Sequence, residues 1–239
     1  MRTFRLALAQ INPTVGDLEG NTTKIIGLVE EARSLGADLV AFPELAITGY
    51  PPEDLLFKPS FLQANMDAMH SVVAASRDIA VVVGFAEAGS DIYNAAAVGY
   101  QGELVGVYRK NHLPTYGVFD EDRYFKRGTV CPVYTINGVG VGVNICEDIW
   151  YAVGPIIVQR EAGAEVIVNI NASPYHAGKG SFREKMVATR ATDNGLYVAY
   201  LNTVGGQDEL VFDGASMVFD QYGELVCRGK QFQEDLVLA

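Results

Sequence analysis

Residues 138–150, with the sequence GVGVGVNICEDIW, decide the fold class of this chain. Apolar residues alternate with glycine over 139–145, and this period of two predicts a β-strand. The Asn137–Gly138 pair before it is typical of the tight turn of a hairpin, which places another strand upstream. The apolar run stops at a thiol, Cys146. This segment is therefore predicted to be a buried strand that ends on a reactive side chain.

Helical and strand-like segments alternate through both halves of the chain, and no linker rich in Pro, Gly or Ser divides them. We therefore expect one α/β domain over residues 1–239, in which helices cover the outer faces of two packed, mixed sheets. The predicted helices cover 20–37, 60–77, 153–164 and 181–195, and the predicted strands cover 4–10, 38–44, 79–87, 94–100, 103–110, 132–136, 139–145, 164–173, 196–203, 215–220, 224–229 and 232–239.

Composition limits the partners that this chain can bind. Of its 239 residues, 49% are hydrophobic, which is enough to bury a sizeable core. Its 18 basic and 29 acidic residues give a formal charge of −11, which repels phosphate backbones and anionic lipid surfaces. No apolar run approaches the ~20 residues that span a bilayer, and the three cysteines lack CxxC spacing. We expect no nucleic acid, no membrane, free thiols and a cytoplasmic location.

Three other kinds of site are not indicated. His70, His112 and His176 are far apart and lack HxxxH spacing or clustered cysteines, so no metal site is expected. The glycines of 138–142 lie within a predicted strand rather than before a helix, which argues against a dinucleotide-binding loop. The sequence contains no GxSxG motif, so a serine hydrolase is not supported.

Three predicted strands end on reactive side chains: Glu44 in LVAFPELAITGYPP, Lys110 in GVYRKNHLP, and Cys146. Reactive groups of α/β proteins gather outside the carboxyl ends of strands, so we expect these three to lie together. Alone, each has an ordinary interpretation as an exposed carboxylate, a solvated lysine or a small buried thiol. Together they are what a cysteine hydrolase needs, because a carboxylate can deprotonate the thiol and a cation can neutralise the oxyanion. The combination predicts an enzyme.

Five extended blocks of the chain resemble the nitrilase, or carbon–nitrogen hydrolase, superfamily, and resemble most the glutaminase domains of glutamine-dependent NAD synthetases. Such a resemblance implies a four-layer αββα sandwich that pairs through its sheets into at least a dimer. The blocks, in chain order, are FPELAITGYPPEDLL, YRKNHLPTYGVFDEDRYF, VGVNICEDIW, NINASPYHAGK and NTVGGQDELVFDGAS.

The resemblance also implies a role for each matching residue. Glu44 corresponds to the general base, Cys146 to the nucleophile and Lys110 to the group that stabilises the tetrahedral intermediate. Glu121, in the FDEDRYF segment, corresponds to a second acidic residue beside the lysine. The implied reaction is hydrolysis of an amide through a thioester, which needs no cofactor.

L-Glutamine is the substrate that the resemblance implies, and its α-ammonium and α-carboxylate call for opposite charges at the pocket mouth. Glu147 corresponds to the acid that recognises the amino group. Lys179 stands where a basic residue meets the carboxylate, although an arginine also occurs there and a lysine loses its bidentate geometry. Ser173 and Tyr116 correspond to substrate contacts, and Phe119 to a backbone contact.

The resemblance further implies a partner. In the full enzyme, ammonia passes to an ATP- and Mg-dependent synthetase domain, on the same chain or a separate one, that converts deamido-NAD(+) to NAD(+). We expect that domain to be absent here, because the sequence has no SGGxDS pyrophosphate loop. Two alternatives remain open: an amidase of the same superfamily that acts on another aliphatic amide or carbamoyl compound, and a non-catalytic binding module.

Overall fold

A computed structural model describes residues 3–239, and it consists of helices and strands in alternation. The helices are α1 (Leu18–Ser34), α2 (Pro59–Ala74), α3 (Pro155–Glu161) and α4 (Lys179–Asn194). The strands are β1 (Leu6–Gln10), β2 (Leu39–Ala41), β3 (Ala80–Ala88), β4 (Ile92–Tyr100), β5 (Glu103–Arg109), β6 (Val133–Ile136), β7 (Val139–Ile145), β8 (Val166–Asn171), β9 (Tyr197–Asn202), β10 (Val204–Gln207), β11 (Leu210–Asp213), β12 (Met217–Phe219), β13 (Leu225–Arg228) and β14 (Asp235–Leu238).

Two mixed sheets, each six-stranded within residues 3–239, form the centre of the molecule. The first sheet has the order β14-β1-β2-β3-β4-β5, and the second has the order β13-β12-β9-β8-β7-β6. Strands β1, β2 and β3 are parallel to one another, as are β7, β8 and β9. Hairpins add antiparallel strands to both sheets. Because the parallel strands of each sheet end on the same side, the residues that follow them collect at one rim.

The alternation of side chains along the strands creates three layers of core. On β1, Leu6 and Leu8 face the second sheet, whereas Ala7 and Ala9 face α1 and α2. The second sheet contributes side chains from β7, β8 and β9 to the layer between the sheets, and α3 and α4 cover its outer face. The predicted four-layer αββα sandwich is therefore confirmed.

Several boundaries differ from the predictions. Helix α3 is only seven residues long, because Pro155 begins it and the turn at Gly163 follows it. The hairpin of β10 and β11 was not predicted, since its sequence VGGQDELVFD is rich in glycine and acidic residues. The last predicted strand, β14, returns to the first sheet and pairs antiparallel with β1.

Candidate active site

The three reactive residues of the sequence analysis lie at the ends of strands from both sheets. Glu44 follows β2, and Lys110 directly follows β5 in the first sheet. Cys146 directly follows β7 in the second sheet and opens a short 3₁₀ helix, Cys146–Ile149. The site is therefore assembled across the interface between the two sheets.

Lys110 lies between two carboxylates, and together they form a buried ionic cluster. Its Nζ donates to Glu44 Oε1 at 2.7 Å and to Glu121 Oε1 at 2.8 Å. The exposed fraction of the side chain is 0% for Lys110, 1% for Glu44 and 6% for Glu121. Burial by itself lowers the pKa of Lys110, but the two carboxylates raise it well above its ordinary value. The two carboxylates therefore favour the charged form of the lysine in this site.

Further donors fix the carboxylate of Glu44 on both sides. Asn94 Nδ2 donates to Oε1 at 2.7 Å, and the backbone N–H of Ala172 donates to Oε2 at 2.9 Å. Asn94 lies in β4 of the first sheet and Ala172 follows β8 of the second. Glu44 is thereby held by groups from both sheets, and its orientation depends on their relative position.

Glu121 has a different electrostatic environment from that of its neighbours. Burial raises the pKa of its carboxyl, Lys110 opposes this shift, and Glu44 adds to it. Tyr50 also donates its hydroxyl to Glu121 Oε1 at 3.3 Å. Two carboxylates beside one ammonium leave an excess negative charge when both are ionised, and together with burial this favours the protonated form of Glu121.

Cys146 has an unusual backbone conformation for a residue with a side chain. Its φ is 45°, in the left-handed region, which places the thiol at a sharp turn between strand and helix. The side chain is buried, and burial raises the pKa of the thiol well above its ordinary value. Glu44 raises the pKa further, whereas Lys110 lowers it. The resting thiol is therefore protonated and needs a base before it can act as a nucleophile.

Glu147, the residue after the thiol, is buried and is contacted by Tyr116. The Tyr116 hydroxyl lies 2.9 Å from Oε1 and 2.8 Å from Oε2 of Glu147, so that it donates to one oxygen at a time. Burial raises the pKa of Tyr116, and the hydrogen bond to Glu147 raises it further. The ring of Phe119 packs edge-on against that of Tyr116, at 5.8 Å between centroids. These three predicted residues form one group beside the thiol.

Ser173 and Lys179 lie in another part of the site, where β8 leads into α4. Ser173 is buried, and its backbone N–H donates to Asn202 Oδ1 at 2.8 Å. Lys179 Nζ donates to the carbonyl of Pro174 at 3.1 Å and lies 5.8 Å from the ring centroid of Trp150. Burial lowers the pKa of Lys179, although the charge of a Cys146 thiolate opposes this shift. An anion and a cation, Glu147 and Lys179, are thus held by different segments near the thiol.

The sequence analysis missed several residues that hold the site together. Asn94 and Tyr50 contact the two carboxylates, and Arg183 and Asp213 form a buried ion pair, 3.0 Å apart. One signal was available, because Asn94 is a polar residue at the start of the apolar run NAAAV. The other contacts join residues that are distant in the chain, and no local pattern reveals them.

Over the part of the chain that the structure describes, no group of three or more His, Cys, Asp or Glu side chains is arranged to hold a metal ion. Between residues 3 and 239, no helix combines the length and apolar character needed to cross a bilayer.

Comparison with known proteins identifies the family of this site. A model of the carbon-nitrogen hydrolase family matches residues 5–239. The chain belongs to the carbon–nitrogen hydrolase family. The resemblance inferred from the five sequence blocks is thus confirmed at the level of the family.

Among the relatives of this carbon–nitrogen hydrolase, the glutamine-dependent NAD(+) synthetase of Aquifex aeolicus is 50% identical over 239 residues, which cover 98% of this chain and 41% of that protein. The glutamine-dependent NAD(+) synthetase of Acinetobacter baumannii, solved with ADP, superposes with a TM-score of 0.95 at 39% identity, covering 99% of this chain and 45% of that one. This chain therefore spans less than half the length of these relatives.

A nitrilase-superfamily amidase from Nesterenkonia AN1, solved as a cysteine-to-alanine mutant, has a TM-score of 0.89 and 25% identity. The superposition covers 98% of this chain and 89% of the amidase. The same αββα architecture thus occurs both within longer synthetases and in an amidase of similar length to this carbon–nitrogen hydrolase.

Proposed function

We propose that this domain is a glutamine amidohydrolase that releases glutamate and ammonia. The observation that carries the proposal is the buried cluster of Glu44, Lys110 and Glu121 beside the protonated thiol of Cys146. It contains a base, a cation and a nucleophile in a setting from which water is largely excluded. The names of the relatives supply the substrate, because they are glutamine-dependent synthetases.

In the first half of the reaction, Glu44 takes the thiol proton and the sulfur of Cys146 adds to the side-chain carbonyl carbon of glutamine. The carbonyl oxygen becomes an anion, which Lys110 neutralises. The protonated Glu44 then gives its proton to the amide nitrogen, the C–N bond breaks, and ammonia leaves behind a glutamyl thioester.

In the second half, Glu44 takes a proton from water and the hydroxide adds to the thioester carbon. Collapse of this intermediate breaks the C–S bond and returns a proton to the sulfur. The sum is glutamine plus water giving glutamate plus ammonia. A single carboxylate serves both halves, which is consistent with the three donors that fix Glu44 in place.

Selection for glutamine would come from the two opposite charges near the thiol. In this proposal, Glu147 binds the α-ammonium and Lys179 binds the α-carboxylate, with Ser173, Tyr116 and the backbone of Phe119 completing the pocket. Glu147 has an advantage over an exposed carboxylate, because it is buried and a charge-assisted contact is stronger where water is excluded.

We infer further that the ammonia serves the synthesis of NAD(+) from deamido-NAD(+) in a longer enzyme. The ATP and Mg that this synthesis needs would bind the synthetase domain and not residues 1–239. Support comes from the relatives, which are NAD(+) synthetases more than twice as long as the matched region. Assembly into at least a dimer and a cytoplasmic location belong to the same proposal.

The test is ammonia release from L-glutamine, with L-asparagine as the comparison amide. We expect release from glutamine by the wild type, no release by Cys146→Ala, and full release by the matched control Cys227→Ala, whose thiol lies in β13 away from the site. Hydrolysis of a simple aliphatic amide in preference to glutamine would instead favour an amidase such as the neighbour from Nesterenkonia. If the folded protein hydrolysed no amide, with or without an added synthetase domain, both the glutamine amidohydrolase and the amidase hypotheses would be contradicted.

A further inference from the structure

Asp148 lies two residues after the thiol, in the short 3₁₀ helix that Cys146 opens. Its side chain is completely buried, yet no lysine or arginine side chain of the described residues pairs with it. Instead it accepts hydrogen bonds from the Tyr108 hydroxyl (2.7 Å), the backbone N–H groups of Asn111 (3.2 Å), His112 (2.8 Å) and Ile145 (3.1 Å), and, in one tautomer, His112 Nδ1 (3.1 Å).

Three of the residues that donate these hydrogen bonds flank Lys110, the cation of the site, in the sequence. Tyr108 precedes Lys110 by two residues, and Asn111 and His112 follow it directly. The carboxylate therefore holds the chain on both sides of Lys110. Burial and the neighbouring Asp148 raise the pKa of Tyr108 well above its ordinary value, so its hydroxyl remains a donor.

The same carboxylate also holds the turn that carries the nucleophile. The N–H of Ile145 donates to Asp148 Oδ2, three residues ahead, as an acidic side chain does when it caps the start of a helix. This hydrogen bond closes the turn around Cys146, whose φ of 45° is unfavourable for a residue with a side chain. The conformation of the thiol thus depends on Asp148.

Lys110 and Cys146 come from different sheets, and Asp148 bridges the segments that carry them. Burying a carboxylate without a cation has a large unfavourable desolvation free energy, and an apolar residue of similar size would fill the same space with a smaller loss of stability. Its hydrogen bonds to backbone N–H groups are strong and directional, which is what fixing the relative position of two segments requires.

We propose that Asp148 is a positioning residue that fixes Lys110 relative to the thiol of Cys146. The inference rests on the proposed hydrolysis of an amide by Cys146, and it adds a residue that acts on the reaction only through the other two. Loss of Asp148 would then separate the oxyanion from its cation without removing either group.

The first variant is Asp148→Asn, which keeps the shape but places an NH₂ group against N–H donors on one side. We expect kcat for glutamine to fall about 10²-fold with KM changed less than about threefold, because misplacement of ~1 Å has effects of that size. We also expect the pH midpoint for alkylation of Cys146 by iodoacetamide, followed by mass spectrometry of its peptide, to move by at least about half a unit.

Tyr108→Phe is the milder variant and removes one donor. We expect kcat to fall about 5- to 10-fold, with the alkylation midpoint displaced in the same direction. The matched control is Tyr134→Phe, because the Tyr134 hydroxyl is buried without a hydrogen-bond partner among the described residues and lies in β6, away from the cluster. It should leave kcat and the midpoint unchanged.

The proposal is overturned if folded Asp148→Asn keeps the wild-type kcat per folded molecule and the wild-type alkylation profile. If Asp148→Asn does not fold, Tyr108→Phe decides: a profile and kcat equal to those of Tyr134→Phe overturn the proposal, and a selective loss supports it. Alkylation needs no glutamine, so the role of Asp148 can be tested even if the wild type proves inactive toward that amide.

Discussion

At the scale of single residues, the position of Lys110 is the feature with the largest energetic consequence. Its ammonium is fully buried and lies between two carboxylates, so that it reduces the repulsion between them. Removing one partner of a buried ionic cluster leaves uncompensated charge, which typically costs about 3–5 kcal/mol. Both catalysis and stability therefore depend on the Nζ atom of Lys110.

Lys110→Met is expected to lower the rate of glutamine hydrolysis by at least about 10²–10³-fold, because the oxyanion loses its cation. It should also lower the melting temperature, since Glu44 and Glu121 remain buried together. The double variant Lys110→Met/Glu121→Gln also removes the negative charge of Glu121. It should therefore recover part of the stability but none of the activity. Activity assays and thermal melts measure the two effects.

Lys126→Met is the matched control for this experiment, because Lys126 is exposed and lies in the segment between β5 and β6, as Lys110 does. It should leave both rate and melting temperature near the wild-type values. Wild-type turnover by folded Lys110→Met would contradict the role proposed for the lysine.

At the scale of elements, β3 supports the segment that carries Glu44. Gly84 lies in this strand with the backbone of Pro43, Glu44 and Leu45 packed directly over its Cα. A Cβ at Gly84 would lie 2.3 Å from the Pro43 oxygen and 2.4 Å from the Leu45 nitrogen. The position of the carboxylate is thus set by the absence of a side chain in a neighbouring strand.

Gly84→Ala is expected to destabilise the fold by about 1–3 kcal/mol, as overpacking of a core does. It should also lower kcat, because the backbone of Glu44 must move. The matched control is Gly27→Ala in α1, where an added Cβ meets nothing within 4 Å and should stabilise the helix by about 0.5–1 kcal/mol. Denaturant titrations compare the two, and equal stability for both variants would show that the strand tolerates the contact.

The elements also show what the sequence could predict. The strands that carry Glu44, Lys110 and Cys146 were found because period-two alternation and strand ends are local signals. Pairing of β14 with β1 was not found, since it joins the two ends of the chain. The contact between Tyr108 and Asp148 was missed for the same reason, because hydrogen bonds between distant segments are a product of the fold.

At the scale of the whole molecule, the protonation of Glu121 links stability to pH. Burial, opposed by Lys110 and reinforced by Glu44, raises its pKa from 4.5 to about 7. The unfolded chain loses this proton near the ordinary pKa, whereas the folded protein keeps it until the raised value. Between these two pH values the folded state binds more protons, so its stability falls as pH rises and is level again above the upper value.

Glu121→Gln should remove this dependence, because a neutral amide does not titrate. We expect the free energy of unfolding of the wild type, relative to Glu121→Gln, to fall by about 1 to 3 kcal/mol between pH 5 and pH 8. Urea titrations at the two pH values measure the difference. A constant difference would mean that Glu121 is already ionised at pH 5.

Glu44 and Lys110 lie on one sheet and Cys146 lies on the other. This division determines how the protein would lose its activity. The apolar layer between the sheets sets the spacing of the reacting groups, so slippage of one sheet over the other would misalign them while every strand stayed intact. Inactivation by mild heat or denaturant should then precede loss of secondary structure. The rate of turnover would then report the alignment of the two sheets. A spectroscopic measurement of strand content would not detect such a displacement.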